Sequence, residues 1–177
     1  LKECLAAGAL CNDARLRDRG GRFDVVGDPT EAALLVAARK GGLDPVALAR
    51  EHPRIDAIPF ESEHQYMATL HSRMPRQTPV VYIKGAPERV LPYCSETLGS
   101  SGQAVALDQA AAVAELERLA GEGLRVLAIA RATTAPGTAT ITRGIVEQGG
   151  LTLLGFEAML DPPRPEARTA RGLGGRA

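Results

Sequence analysis

The 177-residue sequence predicts an antiparallel β-sheet flanked by helical hairpins, an α/β sandwich of the α+β type. Three observations carry this. Two segments in succession open on Asp-Pro, at Asp28-Pro29 and Asp44-Pro45, so each supplies an N-cap and a proline preset for the first helical turn. From residue 54 the pattern turns strand-like over 54–60, 65–73 and 78–84. The connectors Glu61-Ser62-Glu63 and Met74-Pro75-Arg76-Gln77 are short enough to favour antiparallel neighbours. No regular alternation of strand and helix follows, so Rossmann periodicity is missing.

Taken in order, Leu1, Leu5 and Ala9 recur at helical spacing over residues 1–10. Residues 12–21 are polar and read as a loop, and 22–26 as a short strand. Asp28-Pro29-Thr30-Glu31 offers a cap, a proline and an acid three residues after the cap, which predicts a helix to about Lys40 closed by Gly41-Gly42. Asp44-Pro45 opens a second helix to about Glu51. After the three strands come a helix from Pro87 to about Tyr93, a short strand near 103–107, and an alanine-rich helix from Asp108 to about Gly121. Gly123 stops that helix, and 124–131 returns as a strand. Residues 132–150 read as loop with a short helix around 141–147, and 151–160 as the last strand. No fixed-period repeat occurs. Residues 1–160 are expected to form one domain. Pro162, Pro163 and Pro165 stiffen the connector that follows, and the Arg, Gly and Ala tail to 177 is expected to be disordered.

Composition removes several function classes. Acidic and basic residues balance at 21 each, so no broad positive field is available for nucleic acid or an anionic membrane. No apolar run reaches the roughly 18 to 20 residues of a membrane helix, and the opening Leu1-Lys2-Glu3-Cys4-Leu5 is not a signal peptide, so a soluble domain is expected. Cys4, Cys11 and Cys94 lack metal-ligand or disulfide-framework spacing and are read as reduced thiols. Lysine is confined to Lys2, Lys40 and Lys84, and a ring able to stack on a planar ligand must be one of Phe23, Phe60, Phe156, Tyr66, Tyr82 or Tyr93.

Lys84 leads the candidate residues. It ends a strand on the same face as Val80 and Tyr82, with Val81 and Ile83 on the other. Gly85 leaves room for a ligand beside bare backbone, and Pro87 opens a helix immediately after, a reasonable seat for a phosphate. The plain alternative is a lysine snorkelling from a strand end. Glu31 has its own structural competitor as the acid of a capping box on Asp28. Phe60 reads equally as a core ring, and Arg125 as a solvated strand-end arginine able to hold a phosphate with its fork. His52, His64 and His71 share no metal spacing and are read as structural or solvated. Both G-x-x-x-x-G-K-[ST] and G-x-G-x-x-G are absent, so nucleotide binding would need a less familiar route.

Six segments in one order then resemble a known family. They are Leu10-Cys11-Asn12-Asp13, Gly27-Asp28-Pro29-Thr30-Glu31-Ala32-Ala33-Leu34, Pro59-Phe60 through Met67, Lys84-Gly85-Ala86-Pro87-Glu88, Gly123-Leu124-Arg125-Val126-Leu127, and Met159-Leu160-Asp161-Pro162-Pro163-Arg164. Together they resemble the nucleotide-binding domain of a P-type ATPase, in particular P2-type cation pumps of the calcium-pump kind and their bacterial members. The resemblance implies that ATP is bound with Phe60 stacked on adenine, Glu31 at the adenine amino group, and Lys84 and Arg125 at the phosphate chain. Gln65 stands where many relatives carry a second lysine, which implies weaker phosphate attraction. The residues Asp161, Pro162, Pro163 and Arg164 would form the hinge towards a phosphorylation domain. Mg²⁺ would be held mainly on that neighbour.

The Asp-Lys-Thr-Gly-Thr, Thr-Gly-Glu-Ser and Thr-Gly-Asp-Gly motifs of the family do not occur. The chain is therefore expected to be a domain fragment, cut close to both hinges, that binds nucleotide without hydrolysing it. The resemblance implies a place on the cytoplasmic face of the membrane, with the phosphorylation and actuator domains of the same pump as partners, no direct membrane contact and a monomeric fragment. Two other readings compete: an interaction module of the same fold without nucleotide binding, and a small soluble α/β enzyme using Lys84 or Cys94 as nucleophile.

Overall fold

A computed structural model describes residues 1–18, 23–73 and 78–160. The expected connector and tail at 161–177, with Asp161, Pro162, Pro163 and Arg164, lie outside the described residues. Helix α1 (Lys2–Leu10) precedes a two-stranded antiparallel hairpin, β1 (Arg15–Asp18) and β2 (Phe23–Val26). The pair α2 (Pro29–Lys40) and α3 (Pro45–Glu51) comes next. Both start as their Asp-Pro openings dictate: Asp28 Oδ1 accepts from the amides of Thr30 and Glu31, and Asp44 Oδ1 from that of Val46. Gly42, at φ +79, turns the chain between them.

Among the described residues the main sheet has seven strands: β3 (Arg54–Ile58), β4 (Tyr66–His71), β5 (Val80–Gly85), β6 (Cys94–Leu98), β7 (Ala104–Ala106), β8 (Arg125–Thr133) and β9 (Leu151–Met159). Their spatial order is β3-β4-β5-β8-β9-β6-β7. Between β5 and β6 lie α4 (Pro87–Val90) and a 3-10 turn (Leu91–Tyr93). Helix α5 (Gln109–Gly121) follows β7, and α6 (Gly144–Glu147) precedes β9.

Two strands depart from the sequence reading. The 12–21 loop contains β1, a polar strand without hydrophobic alternation that, among the described residues, pairs only with β2. Strand β6 had no signal either: Cys94-Ser95-Glu96-Thr97-Leu98 runs straight on from the 3-10 turn. It also breaks the expectation of a purely antiparallel sheet, because β6 lies parallel to β9 while the other pairings are antiparallel. The long passage through β7, α5 and β8 supplies the crossover that a parallel neighbour needs.

Strand alternation divides the core into two layers. Val81, Ile83, Ala128, Ala130, Leu151 and Leu153 pack with Val90, Leu91 and Ala112 on the side of α4, α5 and α6. Val80, Tyr82, Met67 and Ile129 pack with Cys4, Ala7, Leu10 and Cys11 on the side of α1. This second layer is the thinner, and buried polar groups interrupt it. His71 is 2% exposed, with Nδ1 bonded to the His52 carbonyl and Nε2 to Thr69 Oγ1, both at 2.9 Å. Burial pushes His71 down to about 4. Glu157, on β9, is buried against α1, where a Cβ on Gly8 would collide with its carboxylate. Its Oε1 has no hydrogen-bond partner among the described residues, and burial raises the carboxyl to about 7 against the downward pull of Lys84.

Candidate functional site

Strand register brings four of the candidate positions to one end of the sheet. Gly85 pairs with Tyr66 and with Ala128, so Gln65, just before β4, and Arg125, the first residue of β8, lie at the end where β5 finishes. Ile58 pairs with Ala68, which carries the chain beyond β3, through Pro59 and Phe60, to that same end. The strand expected to reach residue 60 stops at Ile58, and Phe60 is 58% exposed. A phenyl ring standing in solvent at a sheet end is free to stack on a planar partner.

Lys84 belongs to the α1 side, flanked across the ladder by Met67 and Ile129. It is only 6% exposed. Its ammonium donates to Glu31 Oε1 at 2.7 Å, which joins two motifs 53 residues apart in sequence. The other oxygen, Oε2, accepts from the backbone amides of Asp13 (3.1 Å) and Ala14 (3.0 Å). Glu31 therefore does not fold back as the acid of a capping box. Asp28 caps α2 alone, and Glu31 turns outward from the helix start to hold the loop at 12–14 and Lys84. A carboxylate with two oxygens retains acceptor capacity beyond these three bonds.

Gly85 has a different reason for being glycine than the one the sequence suggested. A Cβ there would lie 2.5 Å from the Gln65 carbonyl oxygen and 2.8 Å from Tyr66 Cα, so the space is filled by the neighbouring strand and not left for a ligand. Ala86 N donates to that same Gln65 carbonyl at 2.9 Å. Gln65 takes φ +58, an uncommon left-handed conformation for a residue with a side chain, and its Oε1 accepts from Arg89 Nε at 3.1 Å. The turn before it is tied by the amides of His64 and Gln65, both donating to the Glu61 carbonyl. Glu61 also pairs with Arg143 and approaches His64 Nε2 at 3.7 Å. Arg125 is exposed at the rim, opposite Met159 on β9.

Cys94 is buried and donates to the Val90 carbonyl, and burial pushes its thiol up to about 12, leaving no nucleophilic thiolate near neutral pH. Among the described residues no group of three or more His, Cys, Asp and Glu is arranged to hold a metal ion, and no helix is long and apolar enough to cross a membrane. A cleft of ≈ 940 Å³ opens between the end of α1, α2, α3 and β1, with Asn12, Asp13 and Ala14 of the loop that holds Glu31 along one side. Arg15, Arg39, Arg50 and Arg54 line it, and Glu31, Phe60, Lys84 and Arg125 do not.

The sequence reading gave no role to Asn12 or Arg54, the residues that organise the loop beside Glu31. Asn12 is buried and Arg54 reaches back from β3 to Asp13 at 2.6 Å. The one available signal was that Leu10-Cys11-Asn12-Asp13 belongs to the ordered set of motifs.

Residues 1–166 match the family model described as P-type ATPase, cytoplasmic domain N. The cation-transporting ATPase pma1 of Synechocystis is 48% identical over 170 residues, covering 96% of this chain and 18% of the relative. The probable cation-transporting ATPase F of Mycobacterium tuberculosis is 46% identical over 170 residues, with the same coverage of both chains. The calcium-transporting ATPase of Bacillus subtilis is 34% identical over 173 residues, covering 96% of this chain and 19% of the relative. The chain thus spans about a fifth of the length of these curated relatives. With six ordered motifs, a large mixed sheet flanked by helices and a family match over most of its length, this chain belongs to the family of P-type ATPase cytoplasmic N domains.

Proposed function

We propose that this chain binds ATP as the nucleotide-binding domain of a cation-transporting P-type pump, and that it presents the γ-phosphate to an aspartate on a separate phosphorylation domain. The observation that carries the reading is the buried Lys84–Glu31 pair, which couples the two most distinctive motifs, with the exposed Phe60 following β3 at the sheet end where β5 finishes. Phe60 stacks on adenine, which supplies roughly 1–3 kcal/mol with little choice between bases. Glu31, its acceptor directions fixed by two amides and Lys84, takes the adenine amino group. The resemblance put Lys84 at the phosphate chain, but its ammonium is buried and engaged by a carboxylate. That favours a position at the base end, where it orients Glu31. Arg125, exposed at the rim, is then the residue for phosphate. Gln65 adds no charge, and Gly85 serves the packing of β4 against β5.

In this reading the chain holds nucleotide and the phosphoryl chemistry, with its Mg²⁺, takes place on the neighbouring domain. The residues at 161–164 act as the hinge, the actuator and phosphorylation domains are partners within one pump, and the domain works at the cytoplasmic face of the membrane. One stacked base and a few charge-assisted contacts, set against the entropy lost on association, give a Kd between about 0.1 and several mM.

Titration of ATP into ¹⁵N-labelled protein tests this. Saturable shifts at residues 31, 60, 84 and 125, weakened in Phe60→Ala and Lys84→Ala, are expected. A folded spectrum that ATP leaves unchanged would remove nucleotide binding and leave an interaction module.

A further inference from the structure

We propose that Arg54 and Asn12 are positioning residues for the base end of the nucleotide site, acting through the loop at 10–14 and Glu31; the inference deepens the reading above and rests on it. Asn12 is 7% exposed and fully engaged. Its Nδ2 donates to the carbonyls of Gly8 (3.2 Å) and Glu31 (2.8 Å), and its Oδ1 accepts from Ala14 N at 2.9 Å. One side chain thereby joins the end of α1, the start of α2 and the loop between α1 and β1. From the other side Arg54 spreads its guanidinium over the loop. Nη1 donates to Asp13 Oδ1 at 2.6 Å, and Nη2 to the carbonyls of Leu10 (3.2 Å) and Asn12 (2.6 Å). A lysine could not reproduce this three-pointed contact, because it lacks the rigid fork.

The result of this bracing is a pair of aimed amides. Asp13 N and Ala14 N both meet Glu31 Oε2, which leaves Oε1 for Lys84. Gly27 closes the arrangement from beneath: at φ +121, a Cβ would stand 2.9 Å from Ala14 Cα and push the loop off the carboxylate. A glutamate side chain is long and flexible, and the direction of its remaining acceptor capacity is set here by the loop. Arg54 has a second connection. It opens β3, so the loop beside Glu31 is braced from the same strand that leads on to Phe60. Neither Arg54 nor Asn12 is among the residues proposed to touch nucleotide.

The test is base discrimination. Inosine triphosphate has a carbonyl where ATP has the amino group, with the same triphosphate and a ring that stacks equally well. The full chain should prefer ATP by about tenfold, the worth of one good hydrogen bond to a carboxylate. In Arg54→Gln and Asn12→Ala the preference should shrink to within about twofold, through loss of ATP affinity with inosine triphosphate binding unchanged. Asp13→Asn, at an exposed position, removes only the charge partner of Arg54; it should reduce the preference part-way, and it serves as the deciding variant if the other two fail to fold. A folded variant that keeps the full preference overturns the inference. So does one that loses both nucleotides equally, since that is what a purely structural role produces. If the unmodified chain binds both nucleotides alike, Glu31 does not read the base and the inference falls with it, while ATP binding itself stands.

Discussion

Removing one member of the Lys84–Glu31 pair strands the other in a place it cannot leave. The side chains are only 7% and 18% exposed, so Glu31→Gln leaves an ammonium with poor hydration, and Lys84→Met leaves a carboxylate that keeps just its two amide donors. Each single substitution should cost about 3 kcal/mol of stability, and the double substitution clearly less than the sum. Urea unfolding at constant m-value measures all three. Additive losses would mean that the two groups do not depend on one another. At this scale the sequence singled out residues without showing that they meet: the resemblance put Glu31 at the base and Lys84 at the phosphate chain, and the structure pairs them directly. Lys84 and Glu31 could both be picked out by motif, yet the three bonds that hold Glu31 come from a loop and a strand distant in sequence. Likewise nothing in the letters around Gly85 distinguishes a gap kept for a ligand from one filled by Gln65 and Tyr66.

At the level of elements, legibility follows from where each element finds its hydrogen-bond partners. Helices α2, α3 and α5 carry their own start signals in Asp28, Asp44 and Asp108, whose side chains cap the amides they precede, and all three begin where the sequence says. Strands β4 and β5 are buried along their whole length and advertise themselves through apolar content. Strands β1 and β6 owe their existence to neighbours: a polar hairpin arm, and a parallel seat beside β9. A single sequence does not display such debts. The β4–β5 contact also yields a prediction. Gly85→Ala puts a methyl group 2.5 Å from a carbonyl oxygen of the adjacent strand, so the ladder must open or shift. A loss of about 1–3 kcal/mol is expected, with amide shifts concentrated on residues 65–67 and 84–86. An alanine variant of unchanged stability and spectrum would contradict this packing.

For the whole molecule, acidity acts through two buried groups on the α1 side of the sheet that pull in opposite directions. Glu157 rises from an ordinary 4.5 to about 7, so its contribution is fully present below about 4.5 and is lost as pH climbs through 7. His71 falls from 6.5 to about 4, so its contribution is present above 6.5 and is lost as pH drops through 4. Each is worth on the order of 3 kcal/mol. Between pH 4.5 and 6.5 the two slopes oppose, and the native protein should show a shallow dependence there. Glu157→Gln should expose a stability that falls steadily on acidification, and His71→Gln one that rises. Denaturant midpoints taken across that range check both signs. Parallel profiles for the two variants would rule out the opposition.

The parallel seam of the sheet has a mechanical consequence. Strand β9 is not an edge: it is held by β8 on one side and β6 on the other, and the chain leaves it directly towards residue 161. A pull applied to the end of β9 along the strand axis has both neighbours to work against. It loads both ladders in shear, with many hydrogen bonds sharing the stress at once, where a peeling load would meet them singly. Tension or torque arriving at the end of β9 would thus be shared by both ladders and passed to the sheet as a whole.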